Sequence, residues 1–319
     1  MEKKILITRK IPNIARELLE NKGWKVTLGA TNRSLTKDEL KRKVKNVDAV
    51  ISMLSDKFDE EIIDTMKKCK VIANYAVGYN NINIDYAKEK GIIVTNTPDI
   101  LTDATADLAI GLAIAAARNF ILGDELVRNG KFKGWEPELL LGKDFKNKIF
   151  GIIGAGRIGQ ATAKRAKALG CKIVYYSRAK KEEFEKETGA KKVSLNKLLK
   201  TSDFISLHVP LTRQTFHLLN PLNMQLIKDG AVLINTARGE IIDEKTLLHL
   251  LKKGKIFAAG LDVYENEPNV KKEFLKLKNV ILLPHLGSGT FETRSEMAKL
   301  AAKNVIRVLE GKKPLTQVI

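Results

Sequence analysis

At 319 residues the chain has room for about two domains with sizeable cores, and 44% hydrophobic against 29% charged residues is an ordinary globular balance. The net charge of +19 is scattered in short pairs such as 67–68, 180–181, 252–253 and 271–272, with six tyrosines and two tryptophans to interleave, which argues against a dedicated nucleic-acid surface and for a solvated basic exterior. The longest apolar run, residues 106–117, contains Asp107 and is too short for a bilayer, and MEKKILIT has no signal-peptide pattern. Cys69 and Cys171 lie far apart and in no metal spacing, so we expect a cytoplasmic protein without disulfides, metal or membrane contact.

From the N-terminus, KILIT (4–8), AVISM (49–53), VIANY (71–75) and IIVTN (92–96) read as short buried strands. Helical patterns lie between them at 13–23, 59–69 and 85–91, the first and last ended by Gly. One long helical pattern follows from about Thr102 to Asn129, then a loop at GWEPELLLGKD (134–144). The alternation restarts with KIFGIIGAG (148–156), KIVYY (172–176), FISLHV (204–209), AVLIN (231–235), FAAGLDV (257–263) and NVILLP (279–284), before a last helix at 291–311. Two sets of alternating strands and helices predict two parallel sheets, each covered by helices on both faces.

GAGRIGQ (154–160) places Gly154, Gly156 and Gly159 in the G-x-G-x-x-G pattern between a strand and a helix that Gly170 ends. That context gives the pattern its meaning. The first Gly permits a tight turn, the second lets backbone approach a pyrophosphate, and the third lets helix pack on strand. The helix N-terminus attracts the anion. Roughly 20 residues on, a carboxylate that would hold a ribose diol is expected. The sequence there is YYSRAKK, with Ser177, Arg178, Lys180 and Lys181. A hydroxyl donor beside a guanidinium suits a 2′-phosphate, so NADP(H) is expected to be preferred, with NAD(H) as the second choice.

Reduction of a carbonyl needs a proton donor and an electrophilic anchor. Only four histidines exist. His249 lies within a helical pattern and reads as a packing or surface residue, and His217 has no acid near it in sequence. His208 ends one strand and His285 follows another into a Gly/Ser loop, and both are candidates, because open α/β sheets bind ligands beyond their strand ends.

INTARGEIID (234–243), DVYENEP (262–268) and LLPHLGSG (282–289), in that order, resemble the Arg, Glu and His segments of the D-isomer-specific 2-hydroxyacid dehydrogenases. The resemblance extends over essentially the whole chain, including ANYAVGYNNI (73–82) and residues 97–118. With YYSR and Trp135, it is nearest to the glyoxylate/hydroxypyruvate reductase branch. The resemblance implies that Arg238 holds the substrate carboxylate and polarises its carbonyl, that His285 is the general acid, and that Glu267 bonds the other imidazole nitrogen. A nearby carboxylate favours the imidazolium and keeps a proton available. It further implies that backbone N–H groups of Val77 and Gly78 receive the carboxylate. Arg157, Ile158, Val209, Pro210, Thr215, Thr236, Asp262, His285 and Gly287 would then contact the cofactor, and Thr105 and Trp135 would line the pocket or an interface. Glu265 is the neighbouring alternative to Glu267, but the residue before Pro268 is the one that matches.

Some positions depart from the family pattern. Asn80 and Asn83 stand where relatives often have Asp, and Asn147 replaces a usual Gly in the turn before the nucleotide strand, a position that Asn tolerates. Glu267 is not the Gln of the formate dehydrogenase branch.

The expected fold is therefore α/β, with two Rossmann-like doubly wound domains and an interdomain cleft. Residues 1–99, completed by 287–319, form the substrate domain, and 100–286 form the dinucleotide-binding domain. The expected reaction is reduction of glyoxylate or hydroxypyruvate by a homodimer. A 3-phosphoglycerate or other D-2-hydroxyacid dehydrogenase is the alternative enzyme, and a nucleotide-sensing co-repressor is the alternative of another class.

Overall fold

A computed structural model describes residues 2–319, which divide into two compact units: the residues up to Leu101 together with Ser288–Ile319, and Thr102–Gly287. In the first unit, strands β1 (Lys4–Arg9), β2 (Lys25–Ala30), β3 (Ala49–Ser52), β4 (Val71–Asn74) and β5 (Ile93–Thr95) form a parallel sheet in the order β2-β1-β3-β4-β5. β3 and β4 are buried at every position, which is why each is apolar without alternation up to its last residue, Ser52 or Asn74. Successive β1 side chains point to opposite faces. Leu6 joins Leu40, Val50, Ile62 and Ile72 on one side, and Ile5 and Ile7 join Ile51, Ala298, Ala301 and Val305 on the other. Helices α1 (Ile14–Glu20), α2 (Lys37–Val44), α3 (Glu60–Thr65), α4 (Ile84–Glu89) and the last helix of the chain, Phe291–Leu309, supply those covering layers.

The second unit runs α5 (Thr102–Ala117), α6 (Phe120–Arg128), β6 (Ile149–Ile153), α7 (Arg157–Ala168), β7 (Lys172–Tyr176), α8 (Glu182–Thr188), β8 (Lys191–Lys192), α9 (Leu195–Thr201), β9 (Phe204–Leu207), β10 (Ala231–Asn235), α10 (Glu244–Lys252), β11 (Ile256–Leu261) and β12 (Val280–Leu282). Its parallel sheet is ordered β12-β11-β10-β9-β6-β7-β8. The order reverses between β6 and β9, and the glycine turn leaves the sheet at that point, where doubly wound sheets open a crevice.

Two features differ from the sequence reading. The helical run at 102–129 is two helices bent by 63° at a break, where Asn119 adopts a left-handed φ of 53° and its Nδ2 donates to the Leu140 and Leu141 carbonyls at 3.1 and 3.2 Å. A distant loop therefore ends α5, and no local pattern shows it. β2 and α2 were also unanticipated. β2 is a half-exposed edge strand with a weak apolar pattern, whereas α2 begins with a full capping box, Thr36 and Glu39, that was legible in TKDE. α5 is apolar nearly all round because it is buried against β10, β11 and α7. No single helix among the described residues is long and apolar enough to cross a membrane.

Candidate active site

The glycine turn has the geometry of a phosphate cradle. Gly154 has a φ of +100°, and a Cβ there would stand 2.6 Å from the His208 carbonyl oxygen. A Cβ on Gly159 would meet the Gly154 carbonyl at 2.0 Å, so the turn and the start of α7 close only without side chains. A Cβ on Gly156 would instead point into open space, and no side chain caps α7, so its positive end faces outward. Arg157 is exposed and Ile158 half-buried on that first turn.

The remaining predicted contacts follow the C-terminal ends of neighbouring strands: Ser177 after β7, Val209 and Pro210 after β9, Thr236 after β10, Asp262 after β11 and Gly287 after β12. Thr236 Oγ1 is buried without a partner, a polar atom that a ligand would satisfy. An open glycine, an uncapped helix start and an orphaned hydroxyl on one sheet edge fit a dinucleotide.

Several of these side chains are already engaged. Ser177 Oγ donates to the Ala179 carbonyl at 2.5 Å, so its single hydrogen shapes the turn, and Arg178 beside it is exposed. Lys180 Nζ faces Glu185 at 3.5 Å and Glu182 at 3.8 Å. Thr215 Oγ1 donates to the Pro210 carbonyl at 2.5 Å and accepts from Thr212 N at 2.8 Å, which builds the loop after β9.

The second unit brings Arg238, Glu267 and His285 to the same edge. Arg238 sits just past β10, where Asn235 fixes the turn: its Oδ1 accepts from Ala237 N at 3.0 Å and its Nδ2 donates to the Arg238 carbonyl at 2.8 Å. Arg238 Nη1 donates to the Ala237 carbonyl at 2.7 Å. Burial lowers the guanidinium's pKa from its usual value, opposed by the charges of Glu267 and Glu240. Gly239 is forced by packing, since a Cβ there would fall 1.9 Å from the Tyr264 carbonyl carbon; the Arg turn and the Glu267 segment are in backbone contact.

His285 Nδ1 lies 2.9 Å from Glu267 Oε2, and Glu267 Oε1 accepts from Tyr264 N at 3.1 Å. Burial alone would raise the Glu267 carboxyl, but the hydrogen bond and charge of His285, with the Tyr264 N–H and Arg238, hold it below the ordinary carboxylate range. His285 itself has a left-handed φ of 56°, costly for a non-glycine residue. Asp262 imposes it. Its carbonyl accepts from His285 N at 2.9 Å, and its two carboxylate oxygens accept from Leu286 N and Gly287 N at 2.6 and 2.8 Å. Thr105 Oγ1 adds a bond to the Gly287 carbonyl at 3.0 Å. Sequence reasoning named Asp262 only as a cofactor contact and missed Asn235; the Asn-x-x-Arg spacing in INTARG was the available signal for the latter.

The other histidines separate clearly. His208 is only partly buried by surface area, yet the packing around its ring pushes its pKa down to about 3, and Nε2 pairs with Ser206 Oγ at 2.8 Å. A neutral imidazole of that kind is a poor acid at neutral pH. His217 has acid neighbours that the sequence did not show: Glu265 Oε1 at 2.5 Å and Asp243 Oδ2 at 3.8 Å. Glu265 therefore pairs with His217, and only Glu267 reaches His285. His249 is exposed on α10.

In the first unit, Val77 and Gly78 lie in the loop between β4 and α4. Four consecutive carbonyls of that loop are occupied. Ala76 O accepts from Thr97 N at 2.8 Å, Val77 O from Asn96 Nδ2 at 2.9 Å, Gly78 O from Asn74 Nδ2 at 2.8 Å, and Tyr79 O from Ile82 N at 3.0 Å. None of the N–H groups of Val77, Gly78 and Tyr79 donates to a protein acceptor among the described residues. Successive unpaired backbone donors of this kind form an anion-binding concavity.

Comparison with known proteins gives a family. Residues 110–287 match the model of the D-isomer specific 2-hydroxyacid dehydrogenase NAD binding domain. The chain is 49% identical to the glyoxylate reductase of Thermococcus litoralis over 98% of this chain and 96% of that one. Among solved structures, a glyoxylate reductase from Paecilomyes thermophila superposes with a TM-score of 0.88 at 36% identity, covering 99% of this chain and 98% of that one. The NADPH-dependent glyoxylate/hydroxypyruvate reductase of Sinorhizobium meliloti, in complex with NADP and malonate, superposes with a TM-score of 0.87 at 31% identity, covering 100% and 97%. The chain belongs to the D-isomer specific 2-hydroxyacid dehydrogenase family.

Proposed function

We propose that this dehydrogenase reduces a small 2-oxo acid, glyoxylate or hydroxypyruvate, to the 2-hydroxy acid, with NADPH as the preferred reductant. The observation that carries the reading is the His285–Glu267 pair at 2.9 Å, in the segment adjoining the Arg238 turn at the C-terminal edge of a doubly wound sheet. Glu267 accepts from Nδ1, which fixes the ring and leaves Nε2 to carry the transferable proton. The imidazolium gives that proton to the carbonyl oxygen as negative charge develops there, and returns as neutral imidazole. Arg238 binds the carboxylate and polarises the carbonyl, and the N–H groups of Val77 and Gly78 receive the carboxylate's oxygens.

The second unit takes a nicotinamide dinucleotide, which supplies the hydride when bound. Gly154, Gly156 and Gly159 admit its pyrophosphate, Thr236 has the unsatisfied hydroxyl, and Ser177 stands where a ribose-binding carboxylate would repel a 2′-phosphate, with the Arg178 guanidinium beside it. The NADP-bound relative from Sinorhizobium meliloti supports the same preference.

A spectrophotometric assay with NADPH and NADH against a panel of 2-oxo acids, including 3-phosphohydroxypyruvate, tests the substrate assignment. A bulky or branched best substrate would overturn it. Affinities for the two cofactors before and after the joint change Ser177→Asp and Arg178→Ala test the cofactor: an unaltered preference refutes the role of this segment.

The protein assembles as a homodimer through α6 and the loop after it. Phe120, Ile121, Val127, Phe132, Trp135 and Leu141 there are between 46% and 84% exposed, an apolar surface that a second copy would cover. Sedimentation of the wild type and of Ile121→Glu checks this, with dimer and monomer expected; a monomeric wild type removes the assignment.

A further inference from the structure

Two buried or half-buried amides in the first unit have no part in the chemistry assigned above, yet each holds a carbonyl of the Val77–Gly78 loop. We propose that Asn74 and Asn96 are positioning residues for substrate recognition: by holding the Gly78 and Val77 carbonyls, their side chains aim the N–H groups of Tyr79 and Gly78 at the substrate carboxylate. The inference rests on the assignment of this loop to that carboxylate, and deepens it by adding Tyr79 N–H as a third donor.

In a trans peptide the carbonyl of one residue and the N–H of the next lie in one plane and point opposite ways. The single cis bond among the described residues is Glu267–Pro268, so the planes of this loop are trans. Fixing the Ala76, Val77 and Gly78 carbonyls inward therefore turns the Val77, Gly78 and Tyr79 N–H groups outward. Backbone donors fix the first of these, from Thr97, but the Val77 and Gly78 carbonyls are reached only by side-chain amides.

Both amides are themselves held. Asn74 is fully buried, and its Oδ1 accepts from Ser52 Oγ at 3.0 Å and from Asn81 Nδ2 at 3.3 Å, which directs its NH2 toward Gly78. Asn81 Nδ2 also reaches the Met53 and Asp56 carbonyls at 3.1 and 3.0 Å, tying the loop to the end of β3. Asn96 is gripped by the C-terminal segment: its N–H donates to the Thr316 carbonyl at 3.2 Å and its carbonyl accepts from Thr316 Oγ1 at 2.6 Å. The chemistry requires a neutral donor. An aspartate at either place would face a carbonyl with an acceptor and set negative charge beneath an anion cradle.

The test compares wild type with Asn96→Ala, Asn96→Asp and Asn74→Ala for KM and kcat on glyoxylate, the Kd of oxalate with NADPH present, the Kd of NADPH alone, and Tm. Asn96→Ala is expected to raise KM and the oxalate Kd about tenfold, and Asn96→Asp more. In both, kcat stays within about threefold and NADPH affinity is unaltered. If Asn74→Ala does not fold, the Asn96 pair carries the test. A lower Tm with unaltered KM and oxalate Kd in the Asn96 variants overturns the inference and makes these amides structural. A wild type that reduces no 2-oxo acid and binds no oxalate overturns the functional reading and this inference with it.

Discussion

The His285 turn and the Val77–Gly78 loop use backbone hydrogen bonding in opposite senses. Around His285, three successive N–H groups are taken up by Asp262, one by its carbonyl and two by its carboxylate, and the imidazole is left projecting from a left-handed residue. Around Gly78, four successive carbonyls are taken up and three N–H groups are left without protein acceptors among the described residues. One loop saturates its donors and presents a side chain, the proton donor of the proposed reaction. The other saturates its acceptors and presents donors, which in the same proposal meet the substrate carboxylate. A carboxylate anchors the first and neutral amides anchor the second, as the charge each must tolerate demands.

Four substitutions in the second unit would break or sharpen this contrast, in descending order of expected effect. His285→Ala removes the proton donor, and kcat should fall by about a thousandfold or more with dinucleotide affinity within threefold; general acid catalysis contributes on the order of 10²–10⁴. A fall matched by His208→Ala would misplace the acid.

Glu267→Gln should cost about 10- to 100-fold in kcat. Its effect on stability has a definite sign. Glu267 is held below the ordinary range in the folded state, so its contribution is present above the unfolded value, about 4.3, and is lost as pH falls through the lowered one. Acid denaturation of Glu267→Gln should therefore show a shallower loss of stability below that pH. Parallel curves would mean the pair is not formed in solution.

Asp262→Asn leaves one carboxylate-derived acceptor where two were used, and sets an NH2 against a backbone N–H. We expect kcat to drop about tenfold and Tm to fall, with protection from amide exchange lost first at Leu286 and Gly287. Unchanged protection there would show that something other than Asp262 holds the turn.

The smallest effect belongs to His208→Ala. With its pKa near 3, His208 contributes no titration between pH 5 and 9, so the pH profile should superpose on wild type and kcat should stay within about threefold. A displaced profile would reopen its candidacy.

Much of this was legible because it is local. The strands β3, β4, β9 and β10 are buried at every position and read as short apolar runs with one polar residue each, since both faces are covered, and Gly154 and Gly159 are dictated by contacts within six residues or by the strand next door. Asn147 indeed adopts a left-handed φ of 66° in the turn before β6. The capping box of α2 was equally local and could have been read. β2 was not legible, since a half-exposed edge strand has no strong periodicity, and neither was the break at Asn119, which a loop 21 residues away imposes.

The sequence by itself determined the alternation of strands and helices, the glycine turn and the missing ribose acid, because each is a pattern along the chain. Only the tertiary structure decided which acid meets which histidine, Glu267 with His285 and Glu265 with His217. It alone turned the Val77–Gly78 loop into a row of donors, through Asn74 and Asn96 on two different strand ends. Hydrogen bonds act over about 3 Å in space and carry no trace of the 18 to 48 residues that separate Glu267 from His285, Val77 from Asn96 and His217 from Glu265 along the chain; the Asn74–Gly78 bond, by contrast, spans four residues.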